Sequence, residues 1–331
     1  MTAPLWVWIA FTAFLVAMLL LDLLVLHREA HEVSLKEATW LSALWVGLAL
    51  AFAAGLFAVS GAQAGTEFIT GYLIEKSLSV DNVFIFALIL GTFAVPLRYQ
   101  ARVLLWGIVG ALVLRAVFIV IGAGLLERYD WVVYVFAALL IVTGIRLAVG
   151  KHEQIQPERN PLVGLIRRVV PITREFHGER LWVRRSALTD GDVPDGRPPL
   201  LGVWVGTPML AVLATVMTTD VVFALDSIPA IFAVTTSTFI VFTANAFALM
   251  GLRALYFMLA GAMERFVYLN IGLAFTLVFV GSKFIYSDLV GKPPAWTSLT
   301  VIVLAVGISI AASLWRTRDH DGAGAAPATS R

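Results

Sequence analysis

Long apolar runs separated by short polar connections fill almost the whole chain. Crossing a hydrocarbon core of roughly 30 Å takes about 20 apolar residues in a helix. Nine segments reach that length: 5–26, 39–59, 68–92, 103–125, 131–149, 203–233, 238–259, 265–286 and 298–315. The pattern predicts an all-α fold, a polytopic transmembrane helical bundle of about nine spans. The sixth segment is longer than one crossing needs and contains Pro229, which predicts a kink or break near Asp226. Four regions result. Residues 1–149 form a first transmembrane half of five spans, 150–202 a cytoplasmic loop, 203–315 a second half of four spans, and 316–331 a disordered tail, Gly/Ala-rich after Asp319.

Basic residues set the expected orientation. Arg28 and Lys36 follow the first span, Arg98 and Arg102 the third, a run of arginines from Arg159 to Arg197 the fifth, and Arg316 and Arg318 the ninth. The loop 60–67 and the turn 235–238 have none, whereas Lys283 and Lys292 run against the trend. The N-terminus is therefore expected outside and the C-terminus in the cytoplasm. Within the loop 150–202, the stretch 162–170 has the makings of a short helix on the inner membrane surface; the plainer expectation is a solvated connector whose arginines enforce topology.

Composition narrows the function classes. Hydrophobic residues make up 60% of the 331-residue chain and charged ones 14%, against about a quarter charged in soluble domains. The absence of cysteine excludes disulfides, thiolate metal sites and Fe–S clusters. A net charge of +2, with the basic residues mostly in loops, does not suggest a nucleic-acid surface. The N-terminus lacks a basic leader region and a small-residue cleavage site, so the first apolar run is expected to be a retained span.

Two stretches place carboxylates inside these spans. Glu75-Lys76-Ser77-Leu78-Ser79-Val80-Asp81-Asn82 lies in the third and Asp220-Val221-Val222-Phe223-Ala224-Leu225-Asp226-Ser227 in the sixth. In each, an acid is followed six positions later by Asp and then by a small amide or hydroxyl residue. Ionisable groups at membrane depth are costly and mark ion or proton paths. The expected topology directs the two spans oppositely, which predicts an inverted structural repeat centred on the third and sixth spans.

Glu75, Asp81, Asn82, Asp220, Asp226 and Ser227 are candidate metal ligands, and Asp22 in the first span is either a further ligand or the countercharge of an arginine. Their oxygens are hard donors suited to Mg2+, Mn2+ or Ca2+. The five histidines fall in or beside loops. Residues six apart on a straight helix are rotated by about −120° and separated by roughly 9 Å, so Glu75 and Asp81 cannot face one ion together. Either the helices unwind near Asn82 and Pro229, or Asp81 and Asp226 form a central site with Glu75 and Asp220 as stations on either side. The second arrangement is favoured. Arg115 and Arg146 are placed to pair with Asp81 or Asp220 as structural ion pairs, Asn245 and Arg253 are read as structural, and Lys283 as reaching the interface. Emptied of metal, buried carboxylates are expected to take protons, which suggests exchange of a divalent cation for protons.

These motifs, with Asp22 through Lys36, Phe242-Thr243-Ala244-Asn245 and Gly251-Leu252-Arg253-Ala254-Leu255-Tyr256-Phe257, resemble the TerC/Alx family of integral membrane proteins over most of the chain. The resemblance implies a bacterial cytoplasmic (inner) membrane or related organellar protein linked to manganese homeostasis and Mn2+ export. The family's name comes from tellurium resistance. It also implies a Glu three positions before the acid at Asp220, where this chain has Met217, a poor ligand for a hard cation.

The expected function is therefore divalent-cation transport, not enzymatic, with Mn2+ the transported ion and no tightly bound cofactor. The expected partners are the lipid bilayer, the metal ion and protons. The alternative is a non-transporting membrane scaffold that aids assembly or metalation of other proteins, docking them through the loop 150–202. An intramembrane hydrolase finds little support, since no histidine lies in a span and no HExxH motif occurs.

Overall fold

A computed structural model describes residues 3–22, 33–149, 172–173, 175–185, 188, 204–259, 268–291 and 293–323. The protein is an all-α bundle: α1 (Leu5–Leu21), α2 (Leu35–Ser60), α3 (Ala62–Thr92), α4 (Leu97–Arg128), α5 (Val132–Ala148), α6 (Pro208–Phe232), α7 (Thr238–Met250), α8 (Leu252–Leu259), α9 (Leu269–Leu289) and α10 (Ala295–Ala323). Each predicted span overlaps one helix, except that the seventh overlaps both α7 and α8. Among the described residues, six helical stretches are long and apolar enough to cross a bilayer unaided: α2, α4, α6, the α7–α8 pair, α9 and α10. The apolar helices α1 and α5 have 17 residues each. The 31-residue α3 breaks its apolar run with Glu67, Glu75, Lys76 and Asp81.

Local sequence explains several boundaries. Ser34 caps α2 by accepting from the Glu37 amide at 3.2 Å, the first half of a capping box five residues before the predicted start of the span. The loop expected at 60–67 shrinks to Gly61, whose φ of 89° suits a residue without Cβ. Pro208 occupies the first turn of α6, where its missing N–H costs nothing. Residues 204–206, predicted to open the sixth span, instead form strand β2 (Trp204–Gly206), which pairs antiparallel with β1 (Trp182–Arg184). An Arg102–Glu179 ion pair of 3.2 Å ties the region of β1 to α4. The tail expected from 316 is helical through Ala323. The surface helix considered at 162–170 lies outside the described residues.

Small residues set how closely helices approach. A Cβ on Gly144 of α5 would fall 2.8 Å from the Ala274 carbonyl of α9, and one on Gly281 of α9 would fall 2.9 Å from the Ala137 carbonyl of α5. Aromatic residues occur both inside the bundle and on its outside. Phe11, Phe52, Phe68, Phe239 and Phe247 pack together between α1, α2, α3 and α7, the Phe52 and Phe247 rings lying 5.1 Å apart. Trp6, Trp40, Trp131, Trp296 and Trp315 stay on the outside. The α7–α8 pair is the most enclosed of the long apolar stretches, and α3 packs against both α6 and α7, so the acidic motifs lie at the centre of the bundle.

Candidate ion site around Arg115

Helical phase decides which polar groups meet. Asp220 and Ser227 are two turns apart on α6 and return to within about 20° of one face. On α3 the same rule aligns Glu75, Ser79 and Asn82. Arg115, halfway along α4, reaches both faces.

Arg115 is 1% exposed and its guanidinium organises the site. Nε donates to Asp220 Oδ2 and Nη2 to Asp220 Oδ1, each at 3.1 Å, a bidentate grip. Nη1 donates to Glu75 Oε1, to Asn245 Oδ1 of α7 at 2.6 Å and to Ser227 Oγ at 3.1 Å. Asn245 is itself oriented by donating its amide to the Val241 carbonyl at 3.1 Å. Helices α3, α4, α6 and α7 thus close on one buried cation. Glu75 Oε2 and, one turn further along α3, Ser79 Oγ are buried with no hydrogen-bond partner among the described residues.

The other candidates fall elsewhere. Asp226, one residue before Ser227, is rotated about 100° from it; it is half-buried and accepts from Thr143 Oγ1 of α5 at 3.0 Å. Asp22 is buried and accepts from Arg253 Nη2, so it serves as an arginine's countercharge. Asn82 is buried two turns beyond Glu75. The side chain of Asp81 lies outside the description.

Both expected arrangements therefore need correction. α3 is continuous through Asn82 and α6 through Pro229, so neither helix unwinds. Glu75 and Asp220 are not separated stations, because they share one guanidinium. Among the described residues no three acidic or histidine side chains come together closely enough to hold a metal ion. The sequence offers Arg115 as a partner for Asp81 or Asp220; the structure pairs it with Asp220 and adds a simultaneous hold on Glu75, Ser227 and Asn245. Its position in the middle of an apolar span was the available signal. Ser79 gave only the weak signal of lying one turn from Glu75.

Met217 has a packing role. A Cβ on Gly110 of α4 would lie 2.2 Å from its Cε, so the thioether fills the notch that this glycine leaves. Lys283, expected to reach the interface, is 8% exposed and donates to Ser298 Oγ at 2.6 Å. It lines a polar cavity of about 340 Å3 with Gln63, Glu67, Thr235 and Ser287. There Glu67 accepts from Gln63 Nε2 at 2.9 Å and from Thr235 Oγ1 at 2.5 Å.

A model of the integral membrane protein TerC family matches residues 60–321. The chain belongs to the TerC family. Arg115, Glu75, Asp220, Ser227 and Asn245 all lie within the matched region. An uncharacterized membrane protein of Myxococcus xanthus is 50% identical over 311 residues, 94% of this chain and 92% of that protein. The "Putative membrane-bound redox modulator Alx" of Escherichia coli strain K12 is 40% identical over 324 residues, 95% of this chain and 96% of its own. An uncharacterized membrane protein of Rickettsia bellii is 35% identical over 309 residues, 93% of this chain and 97% of its own. No solved structure matches the chain.

Proposed function

We propose that the protein is a secondary transporter that exports Mn2+ across a bacterial inner membrane in exchange for protons, using the carboxylates of α3 and α6. The observation that carries this reading is the meeting of Glu75 and Asp220, the corresponding acids of the two motifs, at one fully enclosed point of a membrane bundle. An inverted repeat with the N-terminus outside and the C-terminus cytoplasmic gives that meeting point two-sided access. The carboxylate, amide and hydroxyl oxygens suit a hard divalent cation. The polar cavity at Glu67 supports an entry path, since eight residues of α3 separate Glu67 from Glu75, roughly 12 Å. No nucleotide-binding motif occurs, so an ion gradient supplies the driving force. The Alx relatives are named as redox modulators; this chain has no cysteine, so it has no thiol of its own to exchange.

One observation favours the second reading, a scaffold that aids assembly or metalation of other membrane proteins. Arg115 already satisfies both oxygens of Asp220 and one of Glu75, as a structural ion-pair cluster would. Flux in sealed vesicles separates the readings, comparing wild type with Glu75→Gln and with Asp81→Asn/Asp226→Asn across Mn2+, Ca2+, Mg2+ and Zn2+. Transport predicts Mn2+ flux that both variants lose. Unchanged flux in the variants would favour the scaffold, and flux indifferent to a pH gradient would remove proton exchange.

A further inference from the structure

The two acids at Arg115 are not equivalent. Asp220 commits both oxygens to the guanidinium, Oδ2 to Nε and Oδ1 to Nη2. Glu75 commits only Oε1, and its Oε2 is buried without a hydrogen-bond partner among the described residues. One turn along the same face of α3, Ser79 is fully enclosed and its Oγ is likewise without a partner. Asn82 continues that face and is 3% exposed.

Charge points the same way. Two carboxylates face one guanidinium, which leaves one negative formal charge uncompensated inside the bundle, and an uncompensated buried charge is strongly destabilising. Lys76, next in sequence to Glu75, turns to another side of α3: a Cβ on Gly251 would fall 2.7 Å from its Nζ. The open oxygens are hard donors, matched to a small cation and not to an anion.

We propose that the duplicated acids have unlike duties: Asp220 anchors Arg115 as a resident countercharge, while Glu75 Oε2 and Ser79 Oγ form the seat of a mobile hard cation. This deepens the transport reading and rests on it for the statement that the cation moves. The division of duties also gives Arg115 a role in positioning, since it holds Glu75 by Oε1 and leaves Oε2 open.

The test uses the purified full chain in detergent, reading the apparent thermal unfolding midpoint with Mn2+ as the probe. In metal-free buffer Asp220→Asn should lower the midpoint by about 10 °C, because Arg115 loses its bidentate partner. Glu75→Gln should leave it unchanged or raise it. Mn2+ should raise the wild-type midpoint, raise it less in Ser79→Ala, and not raise it in Glu75→Gln. Asp220→Glu keeps both oxygens and should retain the Mn2+ shift even if Asp220→Asn does not fold. Equal losses from Glu75→Gln and Asp220→Asn, an Mn2+ shift that survives in Glu75→Gln, or a wild type without any shift would overturn the proposal. Wild-type flux in proteoliposomes is read separately: its absence removes the transport reading, while the midpoints still decide the roles of the two acids.

Discussion

Arg115 and Asp220 form a side-on pair, Nε to Oδ2 and Nη2 to Oδ1, both at 3.1 Å, in which neither side chain is more than 1% exposed. The pair joins α4 to α6, and the remaining donors of the same guanidinium reach α3 and α7. Removing one member of a buried ion pair leaves the other uncompensated, at a cost of about 3–5 kcal/mol. Arg115→Met should therefore unfold or strongly destabilise the bundle, read as lost monodisperse yield and a lowered unfolding midpoint. Arg115→Lys keeps the charge but cannot present two parallel N–H groups to Asp220. It should recover part of the stability, and full recovery would show that charge alone matters at this position.

Asp22 and Arg253 make a second buried pair, joining the end of α1 to α8. Asp22→Asn is expected to cost a few kcal/mol by the same reasoning, yet to leave the ion selectivity of any residual flux unchanged. The checks are the unfolding midpoint and competition among Mn2+, Ca2+ and Mg2+ in proteoliposomes. A change of selectivity without loss of stability would restore Asp22 to the list of ligands.

Much of the fold was legible in hydropathy, because lipid demands runs of apolar residues long enough to cross it. All the predicted spans have helices, and even α3 was found despite four charged residues within it. The short connections were less legible: a single glycine suffices at Gly61, and the strand Trp204–Gly206 has the same apolar look as a helix start. At the site, the motifs picked out Glu75, Asp220 and Ser227, which meet at Arg115, but not the partners of each. Spacing on a helix gives the face a residue occupies, so it placed Glu75 and Asp81 apart. It could not say that the face carrying Asp220 and Ser227 looks towards Arg115, or that Asp226 looks towards Thr143 of α5. Those contacts depend on rotations of whole helices, which are set by glycines such as Gly107 and Gly110 against Val216 and Met217.

Two glycines at tight helix contacts should tolerate a methyl group very differently. At Gly110 the obstacle is the end of the flexible Met217 side chain, whereas at Gly144 it is the Ala274 backbone carbonyl, 2.8 Å from an added Cβ, with Val278 and Leu277 close behind. Gly110→Ala should be absorbed by a rotamer change of Met217 and cost less than about 1 kcal/mol. Gly144→Ala forces α5 and α9 apart and should cost about 1–3 kcal/mol. Comparing the unfolding midpoints of the two variants checks the contrast, and equal effects would mean that the α5–α9 contact is looser than described.

Glu67 offers the sharpest test of a route to the centre. It lines the cavity of about 340 Å3 with Lys283 and Thr235, and its two oxygens are each engaged, by Gln63 and by Thr235. On the transport reading Glu67 is a fixed charge at an entrance, outside the Arg115 cluster, and such a charge acts on capture more than on the step that follows. Glu67→Gln preserves shape and one accepting oxygen, for Gln63 Nε2, while removing the charge; its amide nitrogen can only donate towards Thr235 Oγ1. It should raise the apparent KM for Mn2+ several-fold, steepest at low ionic strength where screening is weakest, and leave the maximal rate nearly unchanged. Thr235→Val frees one Glu67 oxygen without touching charge, so it should leave KM close to that of the wild type. If Glu67→Gln instead lowered the maximal rate at constant KM, Glu67 would belong to the conformational step that joins α3 to the α6–α7 turn, and entry would have to lie elsewhere.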